Sequence, residues 1–508
     1  MSALRSLRHA AICLIIIFLT TPAVADYTTP GTSVDWTMDD LVTNSAGAVT
    51  GAGGAYEVHA SVFVAPSDRL EIAAGSTLTF VDTTGDIGLE INGILSAIGT
   101  LEERIVFTGS VATPGSWRGL DYRDAVAGSD FRLEFCEISY ADEGVDIFGA
   151  DATVWYSEIH HCLSKALDIS SGNGSFHTIS FHDNQQRTVT INLSSSPYIA
   201  NCLFENNNVE NSSPYPYINI GLQGTNSPYI HNNTIIGSGN HMSGGISIWA
   251  LSEAQISSNR IEGCGFGILC YSTGANPFIF DNEIIDNDIH PDQLNWGFGI
   301  ACNGDNAPMV GHNLIHGHWY GVAVINGGQP DLGDLINGDP FTTGGNRIFD
   351  NGLDGQVYGL YNNTPLPQMA QGNWWGSPYE PDVEDAIYHQ PDDPTLGLVD
   401  YSGWMTVSSV YGDTPAPRLS GVTAYPNPFN PKVRVSFSLA TGGEVTVTVI
   451  DVAGRLVRKL HDGALAAGEQ IFEWDGRDGR DRPQSSGVYF YRIETGAETQ
   501  VGKMVLAR

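Results

Sequence analysis

The chain has 508 residues, a formal net charge of −34 and 59 glycines, with only 16% charged residues. A surface this acidic repels phosphate backbones and excludes nucleic acid as a partner, and the 7 cysteines show no C-x-x-C spacing of a zinc site. The length exceeds one ordinary core, so a repeat architecture or several domains is required. Residues 1–25 read as a secretory signal: Arg5 and Arg8 lead an apolar run from Ala10 to Leu19, and Ala23-Val24-Ala25 offers a small-residue stop. No later stretch approaches about 20 uninterrupted apolar residues, so no transmembrane span is predicted in the mature chain. Residues 26–54 form a lead-in.

Residues 55–376 repeat. One column of equivalent positions falls at Cys136, Ser157, Ile179, Cys202, Asn233, Asn259, Asn282, Asn313 and Asn346. A second column of a small residue followed by alternating apolar residues runs through GVDI from Gly144, ALDI from Ala166, GISI from Gly245, GILC from Gly267, GIAC from Gly299 and GVAV from Gly321. Several steps in it are 22 residues. Short alternating strands at that period predict an all-β solenoid, a parallel β-helix of nine or more coils, each coil burying its face on the next. Asn233, Asn259, Asn282, Asn313 and Asn346 are read as structural: Asn tolerates left-handed turn geometry, and stacked carboxamides hydrogen-bond along the axis.

LEIAAGSTLTF from Leu70, LEINGILSAIGT from Leu89, IVFTG from Ile105 and WRGLDY from Trp117 resemble the first coils of the right-handed parallel β-helix repeat proteins, the pectate-lyase-like and NosD-like group. NWWGSP from Asn373 resembles a closing coil of that group. The resemblance implies a fold and hardly any chemistry.

Insertions cluster on one edge of the coils, at 207–216, 237–243, 286–298 and 350–358, where a rigid scaffold usually carries binding groups. The ligand-binding candidates there are Tyr215, His241, Asp288, His290, Trp296, His316, His318 and Trp319, whose rings suit stacking on sugars and whose polar groups suit hydroxyls. Asp286, Asp288 and Asp292 alternate with His290 and are oxygen-rich enough for calcium; no other cofactor is indicated. A pectate-lyase-like enzyme needs calcium-holding carboxylates and a basic residue that takes a proton from carbon. The repeat core offers Arg132, Lys165, Arg187, Arg260 and Arg347. The HGH run at His316–His318 only superficially matches a hydrolase element, and around Asp281 no paired carboxylates recur in neighbouring rungs. Cys270 and Cys302 hold equivalent places in successive rungs, where they are expected to stack, as buried free thiols or, since the strand spacing suits a disulfide's Cα separation, as a disulfide.

Residues 377–417 are read as a capping segment and Pro-containing linker. From 418 on the charge balance reverses, with 12 Lys and Arg against 10 Asp and Glu, compared with 11 against 47 before it. YPNPFNP from Tyr425, VTVTVID from Val445, AGRLVRKL from Ala453 and SSGVYFYRIE from Ser486 belong to about seven antiparallel strands of a small immunoglobulin-like sandwich. These motifs, in this order, resemble the type A sorting domain of type IX secretion substrates and the FlgD immunoglobulin-like domain. The sorting-domain resemblance implies secretion machinery as a partner and a secreted or cell-surface location in a Gram-negative-type bacterium, whereas the FlgD-like alternative implies a permanent folding or docking module. The expected function is non-catalytic presentation of a loop-decorated face to a polysaccharide or surface protein. The alternative is a polysaccharide lyase or glycoside hydrolase.

Overall fold

The computed structural model describes residues 24–506 apart from 83, 124–130, 222, 336–343, 407–418, 426–428, 440–441, 452–455, 467, 481 and 496–498. The expected signal segment and the linker around Pro415 lie outside the described residues. Three long sheets of 14, 13 and 11 strands run along one axis. We call them sheets A, C and B respectively. One coil shows the pattern: Trp117–Arg123 lies in A, Phe131–Glu134 in B, Cys136–Ser139 in C, and Ala141–Phe148 returns to A. Apart from the hairpin Val49–Ala52 with Ala55–Val58, every pairing in the three sheets is parallel, which makes a right-handed parallel β-helix.

The alternation seen in the sequence sets what faces inward. Leu120, Val145, Leu167, Val189, Ile218, Ile246, Ile268, Ile300 and Val322 stand in register along sheet A, all buried. Burying each such side chain contributes about 1.5–3 kcal/mol over leaving it in water. At the N-terminal end the helix Met38–Asn44, started by a Thr37/Asp40 capping box, sinks Met38 and Leu41 into this core. At the other end Ile387–Tyr388 adds a strand to sheet A after the short helix Glu380–Asp385.

The passage from B to C is a single residue in the left-handed region, such as Asn232 (φ 52°), Ser258 (φ 57°) or Asp281 (φ 56°). Immediately after it stands the amide ladder. Asn233, Asn259, Asn282, Asn313 and Asn346 each donate Nδ2 to the carboxamide oxygen of the next, at 2.9–3.0 Å, and Asn373 closes the row. Asn373, in the closing coil NWWGSP, is thus the last rung of the ladder. All six are buried, so the ladder satisfies groups that water cannot reach.

Among the described residues from Leu419 on, seven antiparallel strands lie in sheets of three and four around Phe429, Val435, Phe437, Trp474 and Ile493. This is the expected immunoglobulin-like sandwich. No helix among the described residues is long and apolar enough to cross a membrane.

Candidate functional site

Sheet B carries an aromatic outer face. Its strands Tyr198–Ala200, Tyr229–His231, Gln255–Ser257, Phe278–Phe280 and Met309–Gly311 have three residues each, and the central Ile199, Ile230, Ile256, Ile279 and Val310 point inward. The flanking positions therefore point out. Register aligns Tyr198, Tyr229, Gln255, Phe278 and Met309 in one row, and Ala200, His231, Ser257, Phe280 and Gly311 in the other. Tyr198, Tyr229 and Phe278 are each 37% exposed, a large share for aromatic rings.

Gln255 sits between Tyr229 and Phe278, which are thus two strand spacings apart, about 9.6 Å. An open groove of about 440 Å³ is lined here by Tyr229, Gln255, Ser257, Phe278 and Phe280, together with Asp281 and His312. Phe280 fits here because residue 311 is glycine; a Cβ there would come within 2.6 Å of its ring. His231 Nδ1 lies 3.0 Å from Ser257 Oγ, and burial pushes the imidazole below its ordinary pKa, so it is neutral at pH 7. The groove thus combines flat apolar walls with neutral and acidic hydrogen-bonding groups, the chemistry that holds a sugar ring.

A second surface lies on the outer face of sheet A. Asp121, Asp146 and Asp168 occupy one register position on three successive coils. The carboxylates of Glu143, Asp146 and Asp168 all lie within 4.8 Å of one another. Lys165 bridges Asp168 (2.6 Å) and Glu143 (3.0 Å), Arg123 pairs with Asp146, and Arg118 with Asp121 (2.9 Å). Burial, reinforced by Asp168, Glu143 and Asp121 and only partly offset by Arg123, pushes the Asp146 carboxyl up to about 6. The Asp121 carboxyl is also raised, again chiefly by burial. Recurring carboxylates are absent around Asp281 in the sequence. They stand instead near the N-terminal end, and their signal was the third position of GLDY, GVDI and ALDI.

The residues expected on the insertion-bearing edge divide. His290 stacks on Trp296 at 4.1 Å, His241 lies 5.4 Å from His290, and Trp296 meets Phe266 at 5.5 Å. Trp319 packs over Gly297, where a Cβ would come within 2.3 Å of its ring. Tyr215 lies apart from these contacts, under the Arg187 guanidinium at 4.5 Å. His316 is elsewhere, on the outer face of sheet C against Phe349.

His318 is not available to a ligand. It is buried, with Nδ1 3.0 Å from Asn351 Oδ1 and Nε2 3.3 Å from Asn287 Nδ2, and burial pushes it down to about 3. It is a rung of a second ladder, at the turn from C to A, that includes Asn287 and Asn351. The calcium expectation also changes. Asp292 accepts from the Leu294 backbone N–H and from Asn295, and among the described residues Asp286, Asp288 and Asp292 do not bring three ligand atoms together. Asp288 is merely raised by burial and by Asp286. Two other groups do gather three ligand atoms: the Glu143 trio and His160, His161 and His182. Cys270 and Cys302 are register neighbours inside sheet A, buried and free.

Residues 203–334 match the right handed beta helix region family, and residues 429–498 match the FlgD Ig-like domain. No curated protein matches the chain. Among solved structures it is similar to dimeric latent PorU from Porphyromonas gingivalis, at 19% identity over 20% of this chain and 10% of that one, with a TM-score of 0.16. It is also similar to the periplasmic alginate epimerase AlgG, as a double mutant, at 12% identity over 73% of this chain and 84% of that one, with a TM-score of 0.34. A third is tailspike protein 2 from Escherichia coli O157:H7 bacteriophage CAB120, at 12% identity over 89% of this chain and 64% of that one, with a TM-score of 0.32. The chain thus spans a tenth of PorU's length and just under two thirds of the tailspike's.

Proposed function

We propose that this chain is an exported polysaccharide-binding protein that holds glycan along the outer face of sheet B, with the C-terminal module directing export or attachment at a bacterial cell surface. The observation that carries the reading is the groove between Tyr229 and Phe278: two exposed rings in register on either side of Gln255, lined also by Ser257, Asp281 and His312. Rings held by short, paired strands lose little freedom on binding, so their contacts convert efficiently into affinity. The test is retention of the full chain on an extracellular glycan panel, beside the Tyr229→Ala and Phe278→Ala variants. Retention by the parent and weaker retention by both variants is expected. Equal retention by all three, or none by the parent, would remove the assignment.

A specific observation favours a second reading, cleavage of that glycan at sheet A. The Asp146 carboxyl, raised to about 6 beside Glu143 and Asp168, is suited to hold a proton near neutrality as a general acid, and Lys165 stands between two of the three carboxylates. Release of reducing ends or unsaturated ends from the retained glycans, abolished in Asp146→Asn, would make the protein a hydrolase or lyase.

A further inference from the structure

Two histidines face outward side by side on sheet C. His160 ends the strand Glu158–His160 and His182 ends Ser180–His182; they are register partners, and their rings stack at 4.7 Å and 7°. The next residue on each coil, His161 and Asp183, stands in the left-handed region at φ 55°. That turn brings the His161 ring back against its neighbour: Nδ1 of His161 lies 2.7 Å from Nδ1 of His160. Asp183 is directed in the same way, with Oδ2 2.8 Å from His182 Nδ1, and Asn206 donates to its other oxygen.

The far sides of the rings are held as well. Glu137, one coil below His160, has Oε1 3.4 Å from His160 Nε2; Glu158, one coil below His182, has Oε1 2.7 Å from His182 Nε2. Arg104 pins the other oxygen of Glu158. With both Nε2 atoms engaged by carboxylates, the Nδ1 atoms are left on one side together with the His161 ring. One ring nitrogen from each histidine lies within 4.8 Å of the other two.

We propose that His160, His161 and His182 bind a divalent zinc-class ion through their Nδ1 atoms, with the fourth position open to water and Glu137 and Glu158 orienting the rings from behind. Three imidazole nitrogens, which give up their protons on binding, suit zinc, copper(II) or nickel(II) and do not suit calcium, which takes oxygen. Nitrogens about 2.0–2.1 Å from a tetrahedral zinc stand about 3.4 Å apart, so small side-chain rotations close the site. Carboxylates on the remote nitrogens of ligating histidines fix the tautomer and raise ligand basicity. Stacking and the strand register hold two of the rings in place before any ion arrives, which lowers the ordering cost of binding. The ion would tie successive coils together.

The site shares no residue with the sheet B groove or the Glu143 trio, so its fate is independent of the glycan reading. The test uses the untagged full chain, stripped with a chelator and titrated calorimetrically with zinc chloride and, separately, calcium chloride. One zinc per chain and no calcium response is expected, with loss of measurable zinc binding in His161→Ala and in His182→Ala. Glu158→Gln should weaken zinc about 10- to 100-fold, and His316→Ala, on the same sheet, should leave it unchanged. Cobalt(II) added to the stripped parent reports the ligand set without any variant: the visible bands of a four-coordinate, nitrogen-rich site are expected. Absence of zinc binding by the parent, an octahedral oxygen-type cobalt spectrum, or parent-like zinc affinity in both histidine variants would each overturn the proposal.

Discussion

Asn282 Oδ1 accepts two hydrogen bonds from Asn259, one from its Nδ2 at 3.0 Å and one from its backbone N–H at 2.9 Å. The same side chain donates Nδ2 to the backbone oxygens of Ile256 and Phe280 and to Asn313 Oδ1. Asn282→Ala therefore strands two buried donors on Asn259 alone, each costing about 1–3 kcal/mol. A loss of about 2–5 kcal/mol in denaturant unfolding is expected, while Asn232→Ala, at the half-buried turn beside the ladder, should cost clearly less.

His318 makes the second ladder sensitive to acid. Its folded-state value of about 3 lies below the ordinary 6.5 because burial disfavours the imidazolium. Between those values the unfolded chain binds the proton and the folded chain does not, so stability contributed by this site is fully present above about pH 6.5 and is lost as pH falls toward 3. His318→Asn continues the amide ladder without a titrating ring. Melting temperatures measured from pH 7 to 4 should fall less steeply in this variant than in the parent; parallel curves would show that His318 does not set the acid limb.

Asp146 acts in the opposite direction. Its folded value, about 6, lies above the ordinary 3.8, so between these values the folded chain holds the proton more tightly than the unfolded one. Its contribution is present at low pH and is lost as pH rises from about 4 to 6, an effect of roughly 2–3 kcal/mol. Asp146→Asn should flatten that part of the stability profile. A carbon-13 titration of the aspartate carboxyls checks the cause directly, through a resonance with a midpoint near 6 that is missing from the variant.

In the groove, Tyr229 and Phe278 are wall residues whose rings face solvent, so truncation leaves the core intact. Each alanine variant should lose about 1–2 kcal/mol of glycan affinity, roughly 5- to 30-fold in Kd. Melting temperature should shift by no more than a degree or two, which separates lost binding from lost folding.

Cys136, Cys162, Cys202, Cys264, Cys270 and Cys302 are all free and buried, and burial pushes the first five thiols upward. A thiol that is neither exposed nor ionised is unreactive. The native protein should resist a disulfide-exchange reagent at pH 8, and all six should react together on denaturation. Labelling of Cys270 or Cys302 alone in the native state would contradict their place inside sheet A.

What the sequence determined by itself is the inside of the solenoid and the division of the chain. Inward positions must be apolar or amide-bearing to be buried at all, so Ile230, Ile256 and Ile279 and the row from Asn233 to Asn346 repeat visibly, and the alternating runs after Leu419 announce the sandwich just as plainly. Outward positions carry no such constraint. The columns do set Tyr229, Gln255 and Phe278 four residues before Asn233, Asn259 and Asn282, and Asp146 and Asp168 at the same place of GVDI and ALDI. The distances between those side chains, the groove they line and the turn that brings His161 back onto His160 are not written in the string. The tertiary structure decided those contacts, and it buries His318 between Asn287 and Asn351 for the same reason: a polar residue acquires its role from what the next coil places beside it.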